Sequence, residues 1–248
     1  MAGALYAGSM GWSYGFWGIY SGLKPGQYLA EYARRFNSVE INNSFYRIPS
    51  ESTAASWASQ APDGFRFAAK FPRSVSHSPG LRFEEGKLYA FLHNVKALGP
   101  KRGPLLVQLP PTLRPGKAEG FKALLDALPR GGLYAVEFRH RDWFTPETHA
   151  LLRDSGVALV QQSHPWLPEA NEVTAGFVYV RFEGDRRKVS GEAGAVEVDR
   201  SVDTGRWAGR IRGYLDGGLD VYAYFSKYYS GYPPHDVAQL VELISRGL

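Results

Sequence analysis

SVEINNSFYR, at positions 38–47, opens as a buried strand and then breaks the pattern of one. Val39 and Ile41 are β-branched and apolar, yet Glu40 and Asn42 alternate with them. Side chains of a strand repeat with period two, so Glu40 and Asn42 share one face while Val39 and Ile41 share the other. Other strand-like segments of this chain also end with polar residues on one face. Charged groups repeated at strand ends imply a shared pocket.

Working outward, strand-like segments recur at 5–10, 38–42, 65–70, 105–109, 134–139, 157–162, 177–182 and 220–225, eight in all. Between most of them lie apolar stripes with helical spacing. Tyr28, Leu29, Tyr32, Ala33 and Phe36 form one, and Leu88, Phe91, Leu92, Val95 and Leu98 another. Phe121, Leu124, Leu125 and Leu128 form a third, and Val237, Leu240, Val241 and Ile244 a last. Thr145-Pro146 reads as an N-cap followed by proline at the first helical position.

Strands alternating with helices imply parallel pairing through right-handed crossovers. Eight such units predict a single (β/α)8 barrel of the TIM type, with an open doubly wound sheet as the alternative. The stretch 164–175 is short and contains prolines, so the sixth helix is expected to be short or missing. At 248 residues the chain suits such a barrel. No linker, repeat or low-complexity tract divides it, and 1–248 reads as one domain.

With 44% hydrophobic and 21% charged residues the chain has the balance of a globular protein with a large core. It has no cysteine, which excludes disulfides and thiolate chemistry. No segment approaches the ~20 apolar residues of a membrane span, and the N-terminus lacks the charged and apolar regions of a signal peptide. The expectation is a cytoplasmic protein with no membrane partner. A net charge of +5 mildly favours anionic partners, although the basic residues are spread along the chain.

In a barrel, alternate residues point inward and the site lies at the C-terminal ends of the strands. Parity then sends Glu40 and Asn42, Lys70, Gln108, Glu137 and Arg139, and Tyr179 and Arg181 inward from five strands. Two carboxylates, Glu40 and Glu137, could divide acid and base roles if their environments differ. Lys70, Arg139 and Arg181 could hold an anionic group, three cations around two carboxylates leaving a positive excess. Glu40→Gln is expected to lose ligand binding or activity with little change in stability, because the amide removes charge and basicity but keeps the volume. A core counter-ion would cost ~3 kcal/mol or more.

His77 lies in the loop after the third strand, and His140 follows Arg139 in EFRHRDW, so both belong at the same end. Arg186, Arg187 and Lys188, by contrast, read as a solvated charged loop after the seventh strand. Neither a metal-ligand spacing, a phosphate-binding glycine loop nor a nucleophile elbow is present, so no motif points to a metal or a nucleotide cofactor.

Seven stretches together resemble the YecE-like family, a domain of unknown function: GSMGWSYGFW, VEINNSFYR, FAAKFPRSVSH, GPLLVQLPP, AVEFRHRDW, TAGFVYVRFEG and VYAYFS. The resemblance spans nearly the whole chain and implies a TIM-type barrel. It marks Trp12, Glu40, Asn42, Phe45, Tyr46, Lys70, His77, Gln108, Glu137, Arg139, His140, Trp143 and Arg181 without supplying their roles. One departure stands out: the family's usual Asn-Asn after the last strand is replaced here by Ser226-Lys227.

These residues predict a metal-independent acid/base enzyme acting on a small anionic substrate such as a sugar phosphate. Glu40, Glu137, His77 and His140 are the catalytic candidates. Trp12, Asn42, Tyr46, Lys70, Gln108, Arg139, Trp143 and Arg181 are the binding candidates. A nucleic-acid-binding or nucleic-acid-processing barrel is the second expectation, from the positive charge and aromatic-rich loops. A non-catalytic small-ligand-binding barrel is the third.

Overall fold

The computed structural model describes residues 2–246. The period-two segments form eight strands. They are β1 (Leu5–Ser9), β2 (Ser38–Ile41), β3 (Arg66–Lys70), β4 (Arg102–Gln108), β5 (Tyr134–Glu137), β6 (Ala158–Ser163), β7 (Phe177–Phe182) and β8 (Asp220–Phe225). All neighbours pair in parallel in the order β1-β8-β7-β6-β5-β4-β3-β2. A bridge between Met10 and Glu40 brings the two outer strands together, giving a nearly closed (β/α)8 barrel.

The helices are α1 (Tyr28–Arg35), α2 (Glu51–Ser59), α3 (Arg73–Ser76), α4 (Glu85–Val95), α5 (Phe121–Asp126), α6 (Pro146–Asp154), α7 (Ser201–Asp216) and α8 (Pro233–Arg246). Thr145 caps α6 as its sequence implies, accepting from the Thr148 N–H with Pro146 at the first turn. Among the described residues no helix connects β6 to β7, in line with the proline-containing connection.

Closure between β1 and β2 rests mainly on side chains, because only one backbone bridge joins the two strands. Asn37 accepts from the Ala7 N–H at 2.9 Å and donates to the Leu5 carbonyl at 2.7 Å. The Tyr32 hydroxyl takes the Ser9 N–H at 2.8 Å and donates to the Ser38 carbonyl at 3.1 Å. These strand-edge groups would otherwise be left without partners at the seam. Gly8 permits the approach: a Cβ there would lie 1.9 Å from the Ser38 carbonyl oxygen.

Period two also splits the core. Val39, Ile41, Phe67, Val107 and Val136 point outward and pack under the helices. Ala68, Leu106, Ala135 and Val160 point inward with the larger Phe177, Tyr179, Tyr222 and Tyr224. Small residues on β3, β5 and β6 thus leave room for rings from β7 and β8. Above this apolar floor, at the C-terminal ends, stand the charged inward residues. No described helix is long and apolar enough to cross a membrane.

Candidate active site at the barrel mouth

Arg181 on β7 is the hub of the mouth. Its guanidinium grips Glu40 bidentately, Nε to Oε2 at 3.0 Å and Nη2 to Oε1 at 2.9 Å. Its Nη1 donates to Glu137 Oε2 at 2.5 Å and to Glu183 Oε1 at 2.8 Å. Arg139 follows β5 and donates to Glu183 at 2.5 Å. Its Nε lies 2.6 Å from Glu137 Oε1, in a contact too bent to be a hydrogen bond. Glu40 also accepts from the Tyr179 hydroxyl at 2.7 Å and from Asn42 at 2.9 Å. Lys70 at the end of β3 donates to Gln108 Oε1 at 2.7 Å, and Gln108 donates in turn to Glu137 at 2.7 Å.

Charge counting separates these groups. Glu40, Glu137 and Glu183 face Arg139, Arg181 and Lys70, so the ionised cluster sums to zero. Burial alone would raise the Glu183 carboxyl, but Arg139 and Arg181 hold it down at about 2. Burial alone would lower Arg181, but Glu137, Glu40 and Glu183 keep it well above its usual range. Lys70 goes the other way. Burial, aided by Arg181, pushes its amine down to about 8, outweighing the pull of Glu137 and Glu40. Its only hydrogen bond among the described residues is to the neutral Gln108. His77 is pushed down to about 4 by burial, Lys70 and Arg73, so its imidazole is neutral at pH 7. Its Nδ1 sits 3.0 Å from Ser76 Oγ.

The cluster floors an open cavity of about 790 Å³, into which Lys70, His77, Gln108, Arg139, Arg181 and Glu183 project. The walls are aromatic: Tyr14, Phe45, Tyr46, Trp166 and Tyr228. The Phe45 ring lies 4.2 Å from the Lys70 amine. Arg186 lies over Tyr228 at 4.7 Å and Arg187 over Trp166 at 4.9 Å. Burial, with Tyr228 and Glu40 nearby, pushes the Tyr14 phenol up to about 12.

The barrel brings together most of the residues singled out by parity. Asn42, Tyr46, Lys70, His77, Gln108, Arg139 and Arg181 line the cavity. Glu40 and Glu137 lie just beneath it, fully buried and held by arginine. That geometry makes Glu40 a counter-ion. Three residues lie elsewhere. Trp12 packs edge-on against Trp57 at 5.6 Å in the outer core. Trp143 stacks on Phe138 and donates its indole N–H to the Leu113 carbonyl at 2.8 Å. His140 caps the turn Arg141–Trp143 by accepting from the Asp142 N–H and is not among the residues lining the cavity.

Other contributors were not picked out from the sequence. Glu183 continues the inward parity of Tyr179 and Arg181, and its N–H still follows the strand register to the Ser163 carbonyl. Extending β7 by one inward position would have found it. It removes the positive excess expected from two carboxylates alone. His164 bonds Arg139 at 3.0 Å from the helix-free connection after β6. Arg186 lines the cavity, whereas its charged run reads as solvated loop. Lys227 lines it too and pairs with Glu192 at 3.0 Å, so the departure from the family's Asn-Asn places an amine at the β8 side. Among the described residues no set of three or more His, Asp or Glu side chains converges as metal ligands.

This chain matches, over residues 6–247, the family described as protein of unknown function DUF72. The chain belongs to the DUF72 family. It is 37% identical over 140 residues to the UPF0759 protein YecE of Escherichia coli K12, in a match covering 56% of this chain. The same identity is found with YecE of Escherichia coli O157:H7. The matched stretch spans about half the length of these curated relatives, 50% in each. A DUF72 family protein from Thermotoga maritima superposes with a TM-score of 0.82 at 23% identity, over 98% of this chain and 99% of that one. A DUF72 family protein from Enterococcus faecalis gives 0.79 at 18% identity, covering 98% of both chains. At these identities the likeness to the two structures is one of fold.

Proposed function

We propose that this DUF72 barrel is an acid/base enzyme for a small anionic substrate, with Lys70 and His77 as its proton-exchanging groups. The observation that carries the reading is Lys70. Of the three strand-end cations it alone has no carboxylate partner among the described residues, and its amine faces the cavity. An amine near pKa 8 beside a neutral imidazole suits proton transfer near neutral pH. Glu40, Glu137 and Glu183 hold the two arginines in place, forming a rigid polar floor. Arg186, without an ion-pair partner among the described residues, supplies positive charge at the rim for an anionic group such as a phosphate.

Calorimetric titration with inorganic phosphate and small sugar phosphates tests this reading. Binding at the mouth should weaken about tenfold or more, roughly 1.4 kcal/mol, in both Arg186→Met and Lys70→Met. Affinity unchanged in both variants, or no binding of any of these anions, removes the anionic-substrate reading.

A second reading, single-stranded nucleic acid on the rim, is supported by exposed Trp166 under Arg187, by Arg186 over Tyr228, and by exposed Tyr46 on the cavity wall. It requires affinity for oligonucleotides that falls steeply with salt and drops in Trp166→Ala.

A further inference from the structure

We propose that Lys70 is the nucleophile of this site and condenses with the carbonyl of an aldehyde or ketone to give an iminium adduct. The inference rests on the reading above and narrows its substrate to an anion that also carries a carbonyl group.

The geometry is that of a fixed amine. Lys70 leaves β3 with its amine over the Phe45 ring, and Gln108 takes one of its N–H groups at 2.7 Å. Gln108 is itself held by Glu137. A neutral amine anchored in this way keeps its lone pair for a carbonyl carbon in the cavity. The ionisable groups around it come from four directions: Glu40 on β2, Glu137 and Arg139 from β5, Arg181 on β7, and His77 from the loop after β3. The three carboxylates of the cluster all hold arginines, so none forms an ion pair with the amine.

In the step, the nitrogen lone pair forms the C–N bond and the carbonyl π pair moves to oxygen. The neutral His77 imidazole accepts a proton from the attacking nitrogen and returns it to the oxygen, giving a carbinolamine. One further proton, taken from solvent, lets the hydroxyl leave as water while the C=N⁺ bond forms. The charge balance favours this product. With Lys70 neutral, three carboxylates face two arginines and the cluster carries one net negative charge, which the iminium cancels.

Desolvation and a neighbouring cation activate such amines. At pH 7 an amine near pKa 8 is roughly 10% free base, against roughly 0.04% for an ordinary lysine. That is a gap of roughly 250-fold, partly offset by the lower nucleophilicity of the weaker base.

The test treats the whole protein at pH 7 with glyoxylate and sodium cyanoborohydride, then maps modified lysines by peptide mass spectrometry. Reductive carboxymethylation at Lys70 should run about tenfold or more faster than at Lys24, Lys122 or Lys227. Lys227 lines the same cavity but pairs with Glu192, so it controls for access. With neutral acetaldehyde, the Lys70 rate should level off above pH 8 while surface lysines are still climbing. Labelling of Lys70 no faster than the others, or with the pH profile of an ordinary lysine, overturns the proposal. The wild-type map decides this without any variant. If phosphate still binds at the mouth while Lys70 is not preferred, only the covalent step falls. If phosphate binding is also absent, the anionic-substrate reading falls with it.

Discussion

Glu40→Gln is the most direct measure of what the ion cluster contributes to this barrel. Each oxygen of Glu40 accepts from two donors. Oε1 takes Asn42 and Arg181 Nη2, and Oε2 takes the Tyr179 hydroxyl and Arg181 Nε. An amide in the same volume must turn its NH₂ toward one of these pairs, and each pair includes an arginine N–H. Donor then faces donor at about 3 Å in a site with no solvent exposure. One arm of the bidentate grip is lost outright and the other loses its charge assistance, from hydrogen bonds of about 1.5–3 kcal/mol each, and the facing donors add repulsion. Arg181 keeps Glu137 and Glu183, so its charge is not abandoned. The expected cost is therefore about 3–5 kcal/mol, within the range for breaking a buried pair. For a chain of this size that lowers the melting temperature by roughly 6–20 °C. Urea unfolding with an unchanged m-value would measure it. Arg181→Met should cost more, because it leaves the three carboxylates facing Arg139 and Lys70. The double variant should cost less than the sum of the singles by about 2 kcal/mol. A Glu40→Gln protein within about 1 kcal/mol of wild type would refute the claim that Glu40 is a counter-ion.

Lys70→Met should act in the opposite sense. The folded amine is at about 8, below the unfolded value near 10.4, so wild type is penalised wherever both states are protonated. The variant should be more stable by roughly 1–2 kcal/mol below pH 8 after loss of the Gln108 bond, with the gain fading between pH 8 and 10.4; a destabilised variant at pH 7 would contradict this. Asp236 on α8 is buried, and burial lifts its carboxyl to about 6 despite the Ser230 hydroxyl at 2.7 Å. Because the folded value is raised, the wild type loses stability as pH rises from about 4 to 6. Asp236→Asn should therefore gain roughly 1–2 kcal/mol at pH 7 and little at pH 4, as read by denaturant melts at both values. Gly8→Ala forces a methyl into the Ser38 carbonyl and should cost at least about 3 kcal/mol, with faster amide exchange along β1 and β2.

Much of the barrel can be read from the sequence because strands and amphipathic helices carry their period in local residue order. The alternation of Val39 and Ile41 with Glu40 and Asn42 already states which face is which. The cap at Thr145-Pro146 states where α6 begins. Two helices were less legible. α7 buries Trp207, Ala208, Ile211 and Leu215, yet Gly205, Gly209, Gly213 and five charged residues dilute its stripe. α2 fully buries only Ala54. Trp12, Trp143 and His140 share motifs with residues at the mouth, but proximity along the chain does not set direction. Trp143 turns inward under its own loop to meet Phe138.

The strand count, the parity of each strand and the end of the barrel at which the polar groups gather are all legible in residue order. Those properties follow from a repeat of two residues and need no distant contact. The partnerships among these groups arise from contacts between distant strands. Period two places Glu40, Lys70, Glu137 and Arg181 on one inner surface, but closure of the barrel sets which of them meet across it. Glu183, one inward step beyond Arg181, completes the claim of the carboxylates on Arg139 and Arg181. Lys70, on the far side of Gln108, is left without a carboxylate because every one within the cluster already holds an arginine.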